Sequence, residues 1–252
     1  MTLHKLQKVR LDKLLFEKGL VESREKSRAL ILGGNVTVNG TVVDKAGTLV
    51  RQDVELKVAE KMPYVSRGGL KLQHALEVFP INVKGKTAMD AGASTGGFTD
   101  CLLQYGARKV YAVDVGYGQF HWKLRNDERV VLMEKTNIRY LEKNKIHDEI
   151  DIAVIDVSFI SLLKVIPKIK EFLKPSGEIV ALIKPQFEAG KKDVGKGGVV
   201  RDDKIRLEIV GIIEKESEKM GLKTMGVEKS PVKGPKGNIE YLIYLKNCVT
   251  GK

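Results

Sequence analysis

Four polar side chains in this chain of 252 residues stand where folding alone asks for none: Lys71, Asp156, Lys184 and Glu240. Asp156 lies in one apolar run (150–157) and Lys184 closes another (178–184), and both runs are too apolar on both faces for anything but buried strands of a parallel sheet. In an open α/β sheet the ligand crevice lies at the carboxyl ends of the strands, and an ionised group at that edge needs a partner. Lys71 falls in the first turn of a helix carried by Leu70, Leu72, Ala75, Leu76 and Phe79. A cation there opposes the helix dipole, which points to a role other than stability.

A second feature runs from Thr87 to Leu103. A short apolar run ends at Asp90, then Gly92, Gly96 and Gly97 follow within seven positions, and Phe98, Leu102 and Leu103 recur at helical spacing. This reads as strand, tight loop, helix. Glycines at such a turn let the backbone approach a ligand, and the free amides of the helix start favour a polar or anionic group. The spacing is not the strict Gly-x-Gly-x-x-Gly of a dinucleotide site. The next strand, Lys109 to Asp114, ends in a second carboxylate about 20 residues on, the position from which an acid holds ribose hydroxyls.

The elements that must position these groups alternate in type. Residues 130–137 read as a third strand and 150–157 as a fourth; a helix is expected from Ser161 to Leu173, and a turn at Pro175 to Gly177 leads into the fifth strand. A helix over 202–220 and a strand near 222–227 follow, with a last strand over 239–245 and no crossover helix before it. That order fits an α/β sheet, parallel except near its end. Residues 187–201 and 229–237 are glycine- and lysine-rich loops, the first expected to be mobile over the site.

Residues 9–60 read as a separate small module. Val9 to Phe16 form a basic amphipathic helix with Leu11, Leu14, Leu15 and Leu20 inward, stopped by Gly19. Ser23 caps a second helix with Ala29, Leu30 and Ile31 inward, and Gly33-Gly34 ends it. Asn39-Gly40 turns a hairpin, and 54–58 alternates like another strand. Domain boundaries are therefore set at 1–60 and 70–252, with 61–69, containing Pro63 and Gly68-Gly69, as the linker.

Composition narrows the partners. The formal charge of +12 with 42% hydrophobic residues describes a folded protein with a cationic surface, so a polyanionic partner is expected. Aromatics at 6% favour phosphate tracking over wide stacking platforms. The first ten residues lack an apolar core of signal-peptide length, and the most apolar stretch, 150–169, is cut by Asp151, Asp156, Lys164 and Lys168, so a cytoplasmic protein without a membrane span is expected. Cys101 and Cys248 lack ligand-like neighbours, Cys101 reading as packing, and His4, His74, His121 and His147 are nowhere paired at ligand spacing. No metal is expected.

The N-terminal module, two helices and then Gly34-Asn35-Val36-Thr37-Val38-Asn39-Gly40, resembles the S4-type RNA-binding domain. The resemblance implies that Arg10, Lys13, Arg24, Lys26 and Arg28 face structured RNA; read from the residues alone, they are equally solvated helix faces. In the larger part, Asp-x-Gly at Asp90 to Gly92 is similar to the loop of class I S-adenosylmethionine (SAM) methyltransferases, and Lys71, Asp156, Lys184 and Glu240 follow the order of the tetrad of FtsJ-type ribose 2′-O-methyltransferases. With Ser66-Arg67-Gly68-Gly69-Leu70-Lys71, Asp156-Val157-Ser158-Phe159, Ile183-Lys184-Pro185-Gln186-Phe187-Glu188 and Gly237-Asn238-Ile239-Glu240, the chain resembles the TlyA (haemolysin A) family from end to end. Some members carry an Arg-x-Trp-Val linker; here Met62-Pro63-Tyr64-Val65 stands instead, and linker-dependent behaviour is not carried over.

The resemblance implies a Rossmann-like sheet of seven strands with the last antiparallel, SAM as cofactor, and methylation of cytidine 2′-hydroxyls of 16S rRNA, 23S rRNA or both in ribosomal subunits. It carries Lys71, Asp156, Lys184 and Glu240 over as catalytic, with Lys184 as the amine that takes or relays the hydroxyl proton and Asp156 orienting it. It assigns Asp90, Gly92, Ser94, Gly96 and Phe98 to the cofactor loop and Asp114 to the ribose, and adds Arg67 to the RNA contacts. Asn137 reads equally as an adenine neighbour or a loop cap, and Phe159 as a base or cofactor contact or a core aromatic. A scaffold role in ribosome assembly without catalysis is the main alternative, and membrane lysis a third; both monomer and homodimer remain open.

Overall fold

In a computed structural model of the chain, residues 8–32, 35–58, 62–190 and 192–248 are described, and they fall into two compact units, Met1–Met62 and Pro63–Lys252. The helix terminator expected at Gly33-Gly34 lies outside the described residues, as does part of the expected linker.

The first unit contains β1 (Lys8–Arg10), α1 (Leu11–Glu17), α2 (Arg24–Leu32), β2 (Val36–Val38), β3 (Thr41–Val42), β4 (Leu49–Arg51) and β5 (Leu56–Val58). The first helix was expected from Val9, but Val9 and Arg10 are extended and pair with Val50 and Leu49 of β4, a strand too short to show any periodicity. Leu11, Leu14, Leu15, Ile31, Val36 and Val50 make the core. Leu20 and Ala29, expected inward, are exposed, because Ser27 and Ile31, one turn apart, form the buried face of α2. Ser23 Oγ accepts from Lys26 N at 3.1 Å, the expected cap. Asn39 and Gly40 both take positive φ, as the two-residue hairpin between β2 and β3 requires.

Asp12, in the first turn of α1, organises this unit. Its carboxylate, 0% exposed, accepts from Arg10 Nε (3.0 Å), Arg28 Nε (3.2 Å) and Arg24 Nη2 (3.4 Å). The guanidinium groups themselves cover it and hold its carboxyl well below the usual carboxylate range, the Arg10 hydrogen bond being the largest cause.

The second unit begins with α3 (Gly68–Val78) and continues through β6 (Thr87–Ala91), α4 (Gly97–Gln104), β7 (Lys109–Val113), α5 (Trp122–Arg125), β8 (Val130–Met133), β9 (Ile150–Ile155), α6 (Ile166–Lys170), β10 (Leu173–Ile183), α7 (Pro185–Glu188), α8 (Asp203–Lys219), β11 (Leu222–Lys229) and β12 (Tyr241–Asn247). Seven strands form one sheet in the order β11-β12-β10-β9-β6-β7-β8, with β12 antiparallel to both neighbours and the remaining pairs parallel. Buried residues cover both faces: Met89, Ile155 and Ile183 meet Ile166 and Ile213 on one, and Ala88, Val110 and Leu182 meet Leu72 and Leu102 on the other. Two-sided burial is why the strands read as continuous apolar runs.

Three boundaries differ from expectation. The third strand ends at Met133, since Lys135 takes a positive φ and turns the chain. The helix expected over 161–173 is a 3₁₀ turn at Leu162–Lys164 and a short α6, and Leu173 already pairs with Ile150 of β9. The segment 185–188, whose last two residues fall in the expected 187–201 loop, is helical, Pro185 being well suited to a first helical position. No helix among the described residues is long and apolar enough to cross a membrane.

Because the depressed carboxyl of Asp12 favours the folded state when ionised, its contribution is present above about pH 4, the ordinary value of the unfolded acid, and is lost as pH falls below it. Asp12→Asn should cost roughly 1–3 kcal/mol at pH 7, read as faster hydrogen exchange in α1 and β4, and the gap to the parent should narrow towards pH 3.

Candidate active site

The sheet reverses its strand order between β6 and β9, and two adjoining cavities of about 590 and 440 Å³ open beyond the carboxyl ends of these strands. Gly92, Ser94, Asp156, Ser158 and Phe159 line both.

The larger cavity brings together Lys71, Asp156, Lys184 and Glu240, side chains spread over 169 positions of sequence. Lys71 Nζ, from the first turns of α3, bonds Glu240 Oε2 at 2.6 Å, with Lys71 8% exposed and Glu240 0%. Glu240 Oε1 accepts from Gln186 Nε2 at 3.2 Å. The misplaced charge near the start of α3 is thus matched by a buried acid just before β12. Lys184, which follows β10, reaches back across the neighbouring strand end: Nζ lies 2.6 Å from Asp156 Oδ1, as an ion pair not aligned as a hydrogen bond, and donates to Ser158 Oγ at 2.9 Å. Two amines therefore sit on two carboxylates at one sheet edge, a set able to hold and pass protons and to orient a polar substrate.

Phe159 is 89% exposed, with φ of +63° and its ring 4.9 Å from that of Phe187, so the core reading of this residue is wrong: the strained backbone turns the ring out over the cavity. Arg67, exposed at the cavity rim, and Phe98, buried yet at the cavity wall, also line the larger space.

The smaller cavity is lined by Val113, Asp114, Val115, Gln119, Asn137 and Ile138 among others. Asp114 accepts from Ser94 N (2.7 Å), Gly116 N (2.6 Å) and Gln119 Nε2 (3.1 Å), which orients the carboxylate and leaves acceptor capacity on Oδ2. Asn137 Oδ1 accepts from Arg139 N at 3.1 Å, the capping role, and the residue also borders the cavity.

Asp90 and Gly96 are absent from both linings. Asp90 is fully buried beneath the loop, one oxygen accepting from Thr99 Oγ1 at 2.6 Å and the other unpartnered among the described residues. Burial, first, and then the charge of Asp156 push its carboxyl up to about 7, against the Thr99 hydrogen bond. The glycines serve packing. A Cβ on Gly92 would lie 2.7 Å from the Asp156 carbonyl oxygen, one on Gly96 2.5 Å from the Leu124 side chain, and one on Gly97 2.2 Å from Ser66 Oγ. Gly234, which the sequence did not mark as a site residue, lets its loop pass over the tetrad, where a Cβ would lie 2.1 Å from Glu240 Oε1.

Residues 64–247 match the model of the FtsJ-like methyltransferase family. The chain belongs to that family. Residues 9–56 match the S4 domain, and relatives match both parts of this FtsJ-like methyltransferase together. The 16S/23S rRNA (cytidine-2′-O)-methyltransferase TlyA of Mycobacterium tuberculosis is 44% identical over 95% of this chain and 90% of its own length. Hemolysin A of Brachyspira hyodysenteriae is 46% identical over 94% and 99%. The solved structure of a hemolysin from Streptococcus thermophilus, 44% identical, superposes with a TM-score of 0.76 over 97% of this chain and 90% of the other. The FtsJ-like methyltransferase is thus of the TlyA type.

In the S4 unit, Arg10, Arg24 and Arg28 converge on Asp12, Lys13 lies 3.3 Å from Glu17, and Lys26 bonds Glu22 at 2.6 Å. Buried Cys101, its thiol pushed up to about 12 by burial, is packing as expected.

A carboxyl raised in the folded state binds its proton more tightly there than in the unfolded chain, so stability falls as pH rises from about 4 to 7 and is flat above. Asp90→Asn, which keeps an acceptor for Thr99, should flatten that slope and gain roughly 2–4 kcal/mol at pH 8 in urea unfolding. A mutant with the same slope as the parent would place the titration elsewhere.

Proposed function

We propose that the chain transfers a methyl group from SAM to the ribose 2′-hydroxyl of a cytidine in rRNA, within ribosomal subunits. The observation that carries this reading is the Lys184–Asp156 pair at 2.6 Å in the larger cavity, with Lys184 8% exposed and Asp156 also lining the adjoining cavity. The named activity of the Mycobacterium relative supports the choice of cytidine and of 2′-oxygen.

The residues present fit the cofactor. Asp114, aimed by the amides of Ser94 and Gly116 and with acceptor capacity left on Oδ2, suits a ribose hydroxyl. Asn137 and Ile138 border the same cavity and suit an adenine, while Gly92, Ser94 and Phe98 lead from it towards the tetrad. Asp90 and Gly96 act from below by holding the loop. When bound, SAM supplies an electrophilic methyl group on a sulfonium.

The protein's own task is to bring the hydroxyl oxygen into line and to manage its proton. Lys184 Nζ, held beside Asp156 and Ser158, is placed to accept or relay the hydroxyl proton, with Asp156 orienting the amine. Lys71 and Glu240 add a second ion pair to the lining of the same cavity, with Gln186 donating to Glu240. Holding two reactants in one geometry is the larger contribution. The exposed Phe159 ring offers a face for an unstacked base, and the cationic S4 unit an approach for structured RNA. A scaffold without catalysis has no use for two buried ion pairs inside a cavity, which are costly to maintain.

Lys184→Ala should lower methyl transfer to rRNA by about 10²–10⁴-fold, the usual range for a lost proton-transfer group, with SAM affinity by isothermal titration within threefold of the parent. Full turnover in this variant would remove Lys184 from the reaction.

A further inference from the structure

The two basic loops that the sequence sets apart, 187–201 and 229–237, meet at the larger cavity, where Gly197, Gly198, Lys233 and Lys236 form part of its lining. They are joined by a buried polar latch. Asn238, 3% exposed, donates from Nδ2 to Gly198 O at 2.9 Å, accepts at Oδ1 from Val200 N at 3.3 Å, and accepts at its own carbonyl from Gly234 N at 2.9 Å. Arg206 of α8, 5% exposed, clamps the same segment from below, with Nη1 donating to Val200 O at 2.6 Å and Nη2 paired with Asp203. A buried asparagine bonded to two otherwise irregular loops fixes their spacing.

The loops carry Lys196, Arg201, Lys233 and Lys236, and among the described residues none of these has a carboxylate at ion-pair distance. Inside the cavity the opposite holds, each amine resting on an acid. Unmatched cations on a rigid rim around a neutralised pocket are suited to an anion that runs along the rim while a neutral group enters. A nucleic-acid strand has that form: charged phosphates outside, an uncharged ribose and base inside. We infer that the latched loops are a preorganised clamp for the phosphates flanking the target nucleotide, with Asn238 as the positioning residue that sets the distance between its two arms. The inference rests on the RNA reading of the site and assigns the binding of its backbone to named residues.

The test uses the full chain and rRNA extracted from ribosomal subunits, with affinity measured by filter binding over a series of salt concentrations, SAM affinity by titration, and methyl transfer in parallel. Each phosphate contact contributes about 0.7–0.9 to the slope of log K against log salt. Lys196→Ala with Lys233→Ala should therefore lower the slope by about 1.5 and RNA affinity by roughly tenfold at moderate salt, raising the KM for RNA with kcat within twofold and SAM affinity unchanged. Asn238→Ala, which removes no charge, should lower the slope as well, and the triple variant should be little worse than the double, since a clamp without its spacing has already lost its contacts. An unchanged slope in the lysine double, whose side chains are exposed and not needed for folding, would overturn the clamp. So would strictly additive losses in a folded Asn238→Ala series. If the parent binds rRNA but transfers no methyl group, the reaction reading falls, and the slopes still decide the clamp.

Discussion

The turn after β6 and the end of β9 touch without clearance. Asp156 N donates to Ala91 O at 3.0 Å, and the Asp156 carbonyl occupies the space a side chain on residue 92 would need. Only glycine, with φ of +88°, allows both. This contact fixes a residue that lines both cavities and pairs with Lys184, because the backbone of Asp156 is held from the β6 side while its carboxylate faces the amine arriving from β10. The crevice at the strand reversal is general to such sheets; its particular shape here follows from that close approach. The glycines of the loop are thus explained by protein packing before any ligand is considered, and a ligand binds against a surface that packing has already set.

Buried ion pairs are not what keeps the sheet together. Taking a lysine and a carboxylate out of water costs several kcal/mol per ion, which the pair only roughly recovers. The two apolar layers supply the surplus, each fully buried Ile or Leu contributing roughly 1.5–3 kcal/mol. The ends of the sheet differ accordingly. At the amino end, Lys109–Asp148 and Lys174–Asp151 are about a third or a quarter exposed and lie over strand starts as ordinary surface pairs, while the more enclosed Glu178 pairs with Lys86 and accepts from Tyr244 Oη. At the carboxyl end, Lys71–Glu240 is almost entirely enclosed. That enclosed pair lines the larger cavity.

What the sequence made legible is what periodicity and strand ends can carry. Uninterrupted apolar runs marked β6, β7, β9 and β10, and the polar residues closing them marked the crevice, because a charge closing a buried run is costly unless it meets a partner or a ligand there. Glu240 and Lys71 were marked as misfits and by the order of the tetrad, while their pairing, across 169 positions, lies in the tertiary structure alone. Short elements escaped for want of a full period: β4 with three residues and α5 with four. The 161–173 stretch carried helical spacing that β10 overrode, since Leu173 gains a ladder partner in Ile150. Asn238 and Arg206 gave no local signal, because a latch is defined by the two loops it joins and these are irregular.

The arginines of the S4 unit show why neither sequence reading of them was complete. Read singly, each was a solvated charge or an RNA contact. Together they are three cations from β1 and α2 on one buried acid, so the cluster keeps an excess positive charge after the acid is neutralised, while its side chains remain about half exposed. The carboxylate limits the freedom of the guanidinium groups, and less rotamer entropy is then lost when they meet a phosphate. Stability and the proposed RNA contact draw here on the same ion cluster: the acid that joins β1 to α2 also holds the cations together, so a substitution at Asp12 is expected to change both the fold of the unit and the spacing of the charge it presents.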